Sequence, residues 1–199
     1  MLKNIVLASS NAGKLLEFHA LLSPLGIELI SQESLNITPA EEPFFTFVEN
    51  SLTKARHASK ASGMPALADD SGICVEALQG APGILSARFS GKDATDELNN
   101  QKLISLLKNE PNKKAHYVCA ITLVRHSLDP EPLIAIGRWH GEVIDTPRGK
   151  FGFGYDPYFF LPSLGLTAAE ISLVEKNKIS HRSIAMAELL QQIKFDFKR

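Results

Sequence analysis

Four constellations in the 199-residue sequence hold residue types suited to a small polyanion and its counter-ion. Ser9-Ser10-Asn11-Ala12-Gly13-Lys14 lies between the apolar run Ile5-Val6-Leu7-Ala8 and a helical pattern. A strand that ends where a helix begins offers unpaired backbone N–H groups and the positive end of the helix dipole to an anion. Lys14 adds a full charge, and Ser9 and Asn11 add hydrogen bonds, so a phosphate fits. The plainer alternative makes Asn11 a helix cap and Lys14 a solvated surface lysine. The segment is not a P-loop, because GxxxxGK followed by Ser or Thr needs Gly where Ala8 stands and a hydroxyl residue where Leu15 stands.

The second constellation is acidic: Glu41-Glu42 in a polar connection, and Asp69-Asp70 at the end of a short strand with Ser71-Gly72 after them. Adjacent carboxylates repel, so their presence at a buried strand end suggests a cation, and an oxygen-only set suits magnesium better than zinc. Each acid alone also fits a cap or a surface charge. Lys54 in ENSLTKA is a further phosphate contact or a solvent-facing helix lysine. The third is Gly152-Phe153-Gly154-Tyr155-Asp156, where Gly lets the backbone approach a ligand, the face of Phe153 or Tyr155 stacks a base for about 1–3 kcal/mol, and Asp156 accepts from ring N–H groups. Aromatics beside Gly are equally common in plain cores. The fourth is Ser180-His181-Arg182 at a helix start, preceded by Lys176. A basic first turn opposes the helix dipole, so these donors look placed for a ligand such as a keto oxygen.

The elements that must position these residues follow from apolar periodicity and punctuation. Ile5 to Ala8 predicts a buried strand. Leu15, Phe18, Leu22 and Leu25 fall at helical spacing with Gly26 ending the helix, and Ile27 to Ile30 predicts a second strand. This strand, helix, strand unit opens an α/β or mixed sheet. Thr46 and Glu49 fit a capping box for a helix to about Ser62, stopped by Gly63 and Pro65. Ala66-Leu67-Ala68 predicts a short strand, GAPGILSARFSG a shaped loop, and Asp96 to Leu107 an amphipathic helix. Tyr117 to Val124 and Leu133 to Ile144 predict a hairpin, and Tyr158-Phe159-Phe160 a strand. Thr167 and Glu170 fit a second capping box, and Ser180 the N-cap of a last helix. No internal repeat or long linker appears, so one domain over residues 1–199 is expected.

Hydrophobic residues make up 44% and charged residues 22%, a globular composition that excludes disordered and fibrous classes. Lys and Arg total 21 against 22 Asp and Glu, so no overall field favours nucleic acid or an anionic membrane, and a bound polyanion must be small and held locally. Cys74 and Cys119 lack metal or redox spacing and read as two buried thiols in a reducing cytosol. The first apolar run is too short for a signal peptide and none elsewhere approaches about 18 residues. A soluble, cytoplasmic protein is expected.

ASSNAGK, FVENSLTKA, ADDSG, GAPGILSARFSG, FGYDP and ISHR, in this order and at these separations, resemble the inosine triphosphate pyrophosphatase family, hydrolases that clear non-canonical purine nucleoside triphosphates. The likeness spans almost the whole chain. It implies a mixed α/β fold with a long curved central sheet flanked by helices, two lobes with a cleft between them, a homodimer, and magnesium as cofactor. The implied reaction converts ITP, dITP or XTP to the monophosphate and pyrophosphate. Carried over position by position, Ser9, Ser10, Asn11, Ala12, Gly13 and Lys14 would hold the triphosphate. Glu41 and Asp70 would ligate the metal with Asp69 as a further ligand, and Asp70 would accept the proton of the attacking water. Lys54, Ser71, Phe153, Gly154, Tyr155, Asp156, Lys176, His181 and Arg182 would complete the nucleotide site. Ser9 stands where the family usually has Thr, and Ser10 where Gly is frequent. Donors from His181 and Arg182 would accept a 6-keto purine and oppose the 6-amino group of adenine. The alternatives are a related pyrophosphatase for other modified or canonical nucleotides, and a purine nucleotide sensor that does not hydrolyse. Asp70, Glu41 and Lys14 together argue against the sensor, which needs no water-activating carboxylate.

Overall fold

A computed structural model describes residues 4–196. Among the described residues seven strands form one mixed sheet in the order β2-β1-β3-β4-β5-β6-β7. They are β1 (Asn4–Leu7), β2 (Glu28–Ser31), β3 (Ala66–Val75), β4 (Lys114–Val124), β5 (Leu133–Val143), β6 (Phe159–Leu161) and β7 (Leu166–Thr167). β1 runs parallel to both β2 and β3, whereas β6 is antiparallel to β5 and β7. The α-helices among the described residues are α1 (Ala12–Leu22), α2 (Phe47–Ser62), α3 (Asp96–Leu107), α4 (Leu173–Ile179) and α5 (His181–Asp196). The chain adopts the mixed α/β class expected of it.

Packing divides the chain into two compact units. One holds the chain up to Asp70, Cys119–Gly137 and the stretch from Arg182 on; the other holds Ser71–Val118 and Arg138–His181. In the first unit the sheet has a core on each face. Ile5, Leu7, Leu67 and Ile121 pack with Phe18 and Leu22 of α1 and Met186 and Leu189 of α5. Val6, Ala8, Ala66 and Ala68 pack with Ala55 and Ala58 of α2, whose small side chains let that helix lie close to the strands. The second unit is built on Ile73, Val75, Tyr117, Trp139 and Phe159 with Leu103 and Leu107 of α3.

Several local expectations are corrected. α1 stops at Leu22, before Pro24, which cannot supply a helical N–H; a 3-10 turn, Ser23–Leu25, follows, and Gly26 caps that turn with φ +70°. The strand foreseen at Ala66 to Ala68 continues to Val75, so Asp69 and Asp70 lie inside it. Its parallel pairing with β1 ends at Leu67 opposite Leu7, so the two acids still follow directly on that ladder. Thr167 is no helix cap: it sits in β7 and its hydroxyl donates to the Arg148 carbonyl at 2.8 Å, although Glu170 accepts its N–H. The capping box is Ser172 with Glu175, which starts α4. Within the loop of residues 80–91, Gly83–Arg88 forms a 3-10 helix. Tyr158 belongs to a 3-10 turn, and the strand begins at Phe159. Cys119 is buried as expected, but Cys74 is only half-buried.

Candidate functional site

Successive residues of a strand point to opposite faces, and β3 uses this to separate its two acids. Ala66 and Ala68 face α2, and Asp70 continues that face; Leu67 faces α1 and α5, and Asp69 continues the other. Each carboxylate has its own lysine.

On the α1 face, Asp69 Oδ2 lies 2.9 Å from Lys14 Nζ and 3.5 Å from Arg182 Nη2. Arg182 Nη1 also donates to Glu17 Oε2, and its guanidinium sits 5.7 Å from the Phe18 ring centroid. Glu17, Asp69 and Arg182 are all buried. Burial pulls the Arg182 guanidinium down to about 9, which leaves it charged at neutral pH between two carboxylates. The Cys119 thiol, 3.8 Å from Asp69, is pushed well up by burial and by that carboxylate, so it stays protonated. Asn11 does cap α1, its Oδ1 accepting the Lys14 N–H at 3.0 Å, while Ser9 Oγ accepts the Asn11 N–H at 3.3 Å. Lys14 is not a solvated lysine, since its ammonium is committed to Asp69. Ser10, Asn11 and Ala12 are exposed and Gly13 half-buried, at the helix turn whose N–H groups lack intrahelical acceptors.

On the α2 face, Asp70 Oδ1 lies 3.5 Å from Lys54 Nζ, and its Oδ2 accepts from Asn50 Nδ2 at 3.3 Å. Lys54 Nζ also donates to Glu42 Oε1 at 2.7 Å. Asn50 and Lys54 are four residues apart on α2 and so share a face. Asn50 fixes the loop before the helix as well, accepting the Phe44 N–H at 3.1 Å and donating to the Phe44 carbonyl at 3.2 Å. Thr46 starts α2 as foreseen, accepting the Glu49 N–H. Burial pushes the Asp70 carboxyl above the ordinary value; Lys54 and Lys14 oppose this, and Glu42 and Asp69 add to it. Burial works against the Lys54 ammonium, but Asp70, Asp69 and Glu42 together leave its pKa raised.

In the second unit Asp156, 2% exposed, has both oxygens engaged. Oδ2 accepts from Lys176 Nζ at 2.6 Å and from the Phe153 N–H at 3.0 Å, and Oδ1 accepts from the Tyr117 hydroxyl at 3.2 Å. Asp156 therefore shapes its own loop. Gly152 makes this possible: its φ is +76°, and a Cβ there would overlap the Asp156 carboxylate. The buried Lys176 lies over the Phe153 ring at 5.1 Å, and Phe153 is half-exposed. Gly154 is held by Asp96 and Asn100 of α3, at 2.7 and 2.9 Å. Tyr155 is buried and donates to the Ser86 carbonyl at 2.8 Å, and Ser86 Oγ accepts the Ile73 N–H, so the loop of residues 80–91 anchors both the aromatic turn and β3 just past the half-buried Ser71. His181 lies flat on Tyr117, with ring centroids 4.7 Å apart and planes 13° apart.

The Ham1 family model matches residues 5–192. The chain is 57% identical over 192 residues to a dITP/XTP pyrophosphatase of Nitrosomonas europaea, covering 96% of this chain and 95% of that protein. It is 56% identical over 196 residues to one of Ralstonia nicotianae, covering 97% and 98%. The solved structure of a HAM1 protein from Coxiella burnetii matches with a TM-score of 0.90 and 47% identity, covering 98% of this chain and 99% of that one. The chain belongs to the Ham1 family.

In this Ham1 chain the structure gathers Lys14, Asp69 and Arg182 into one cluster, Lys54 and Asp70 into a second, and Phe153, Asp156, Lys176 and His181 into a third. It places Glu41 at the surface and brings Glu42 to Lys54. Sequence reasoning missed Glu17, Asn50 and Tyr117, and singled out Glu41 from the acidic pair. Asn50 had a signal, its i, i+4 spacing to Lys54. Glu17 had a weaker one, a carboxylate beside the buried Phe18, and nothing in the sequence separates Glu42 from Glu41.

The lysines also revise the case for a metal, because the repulsion between Asp69 and Asp70 is already offset by Lys14 and Lys54. What remains is donor chemistry. The carboxylate oxygens of Asp70 and Glu42, which meet at Lys54 on the α2 face, suit a hard divalent cation, and the protonated Cys119 is no thiolate ligand. Among the described residues no three His, Cys, Asp or Glu side chains form a group able to hold a metal ion by themselves. A magnesium ion held by one or two carboxylates and the substrate's own phosphates needs no such group, so the residues fit it.

Proposed function

We propose that the chain is a magnesium-dependent pyrophosphatase of non-canonical purine nucleoside triphosphates, taking ITP, dITP and XTP to the monophosphate and pyrophosphate. The observation that carries this reading is the pair of lysine–carboxylate clusters built on the buried Asp69 and Asp70 on the two faces of β3, Lys14 with Asp69 and Lys54 with Asp70 and Glu42. They supply cations for phosphate oxygens and a carboxylate whose pKa burial has raised toward that of a useful base. The substrate class follows from the relatives named dITP/XTP pyrophosphatase.

Lys14 and the first-turn amides of α1, with Ser9 and Asn11, bind the polyphosphate and stabilise the charge that develops on the leaving pyrophosphate. Asp70 takes the proton of the attacking water. The water oxygen bonds to the α-phosphorus, the bond from that phosphorus to the α–β bridging oxygen breaks, pyrophosphate departs with the bridging oxygen, and the proton rests on Asp70. Lys54 and Asn50 hold Asp70 in place for this step. Magnesium, when bound, would neutralise phosphate oxygens and orient the water, and Asp70 with an acid of the Glu41-Glu42 pair would hold it. In the second unit Phe153 offers a face for the base and His181 a donor for the 6-keto oxygen. Adenine would set its amino group donor to donor, and such a site discriminates by up to about 10⁴. Arg182 is engaged by Glu17 and Asp69, so it acts first on the Lys14 cluster. A homodimer belongs to the same reading, supported by the family resemblance. A cytoplasmic setting is supported by the two free thiols, which fit a reducing compartment. Among the described residues no helix is long and apolar enough to cross a membrane.

Pyrophosphate release from ITP, XTP, dITP, GTP, ATP and dTTP, with magnesium and with EDTA, tests this. Release from the first three only, abolished by EDTA, is expected. Equal release from all six would remove the base selectivity, and release from none would remove the hydrolase.

A further inference from the structure

Tyr117, on β4, is buried and touches two of the residues assigned to the base. Its hydroxyl donates to Asp156 Oδ1 at 3.2 Å, and its ring lies against the His181 imidazole, 4.7 Å away at 13°. Trp139 is near-parallel to both rings, 6.4 Å from each, and Phe159 closes on Tyr117 at 4.5 Å and on Trp139 at 5.4 Å with tilts of 56° and 54°. The two contacts constrain different things. An imidazole stacked on a ring keeps its plane, so Tyr117 sets the plane in which His181 presents its N–H groups. The hydroxyl fixes one oxygen of Asp156, whose other oxygen holds Lys176 Nζ at 2.6 Å and the Phe153 N–H at 3.0 Å. A phenylalanine would pack equally well against Trp139 and Phe159, and a buried hydroxyl is costly unless it is bonded. Here its partner is a carboxylate of the base-side loop. Burial and the Asp156 charge push the Tyr117 hydroxyl well up, so it is a donor at neutral pH.

We propose that Tyr117 is a positioning residue for base selection, orienting His181 through its ring and the Asp156, Lys176 and Phe153 set through its hydroxyl. The inference rests on the nucleotide-hydrolysis reading above.

The test uses the full chain with Tyr117→Phe, which keeps the ring and removes the hydroxyl, and Tyr117→Leu, which removes both. Folding is followed by near-UV circular dichroism and by the fluorescence of Trp139, the sole tryptophan. Steady-state kinetics are measured with dITP and dATP. Loss of uniform binding raises KM and spares kcat, so Tyr117→Phe is expected to raise KM for dITP about fivefold, with kcat within about twofold and the dITP:dATP selectivity down about fivefold. Tyr117→Leu is expected to lose more, about 20-fold or beyond, so that the phenylalanine variant rescues the stacking share. A tyrosine that only packs would lower the folded fraction and cut apparent kcat for both nucleotides alike, leaving KM and selectivity unchanged in Tyr117→Phe; that result overturns the proposal. If Tyr117→Leu does not fold, Tyr117→Phe decides alone. A wild-type chain without dITP turnover overturns the hydrolase reading and this inference with it, whereas wild-type turnover with unaltered Tyr117→Phe kinetics overturns this inference only.

Discussion

The two units fix their site residues by different means. Around Asp69 and Asp70, buried and half-buried side chains pair opposite charges: Glu17, Arg182, Asp69 and Lys14 on one face of β3, and Asp70, Lys54 and Glu42, with the neutral Asn50, on the other. Around Asp156 a single carboxylate ties one lysine, one hydroxyl and one backbone N–H to a set of near-parallel rings. Buried charges do strong electrostatic work on a phosphate, but each depends on its partner staying in place. Rings hold orientation through shape, so they pass on smaller energies and respond little to salt. A polyphosphate needs the first kind of support and a flat, uncharged base needs the second.

The largest break in this comparison comes from Asp70→Asn. Removing the proton acceptor should lower turnover by about 10²–10⁴-fold with the fold retained, as measured by kcat and circular dichroism; a near-wild-type kcat would remove Asp70 from its role. The pH profile carries the same information. Asp70 must be ionised to act, so kcat should fall as pH decreases through its pKa, which burial raises in the metal-free chain and a bound cation would lower. For stability the sign is opposite: a raised folded pKa favours the protonated fold, and that contribution disappears as pH rises through it. Asp70→Asn should therefore show an equal or higher Tm at pH 8 while inactive.

Arg182→Leu comes next. It leaves Glu17 buried beside a lost partner, and urea titration should show a loss of about 3–5 kcal/mol. Adding Glu17→Leu should restore most of it, because an apolar pair replaces an ion pair at little cost. No recovery in the double variant would mean that Arg182 stabilises the fold by packing alone. The smallest effect belongs to the aromatic side. Phe153→Ala should cost about 1–3 kcal/mol in nucleotide binding, read as a rise in KM with kcat little changed. Raising ionic strength should weaken nucleotide binding in wild type and in Phe153→Ala by the same factor, because the salt-sensitive contacts lie with Lys14 and Lys54. Unequal salt dependence would erase the division of labour between the units.

Much of this was legible in the sequence. Thr46 with Glu49 and Gly63 delimited α2, Asn11 marked the start of α1, and residues 96–107 were read as the helix found there, because caps and apolar spacing act within a turn or two of chain. The misreadings fall where a distant group competes for a local one. Thr167 looked like a cap, but its hydroxyl goes to the carbonyl of Arg148, nineteen residues away. β3 looked finished at Ala68, since two acids and a glycine have poor strand propensity, yet its place between β1 and β4 extends it to Val75.

The sequence by itself determined the class of chemistry: hydroxyl, lysine and carboxylate residues at a strand-to-helix turn, aromatics beside glycines, and the family to which those motifs belong. Tertiary structure decided which partner each residue has. It chose Glu42 over Glu41 for Lys54, turned Asp156 inward onto Lys176 and Tyr117, and set Arg182 between Glu17 and Asp69. Residue type fixes what a side chain is able to donate or accept, but a hydrogen bond also needs about 3 Å and an angle. Both are set by which face of which strand or helix a residue occupies, and that depends on contacts between segments far apart in the chain.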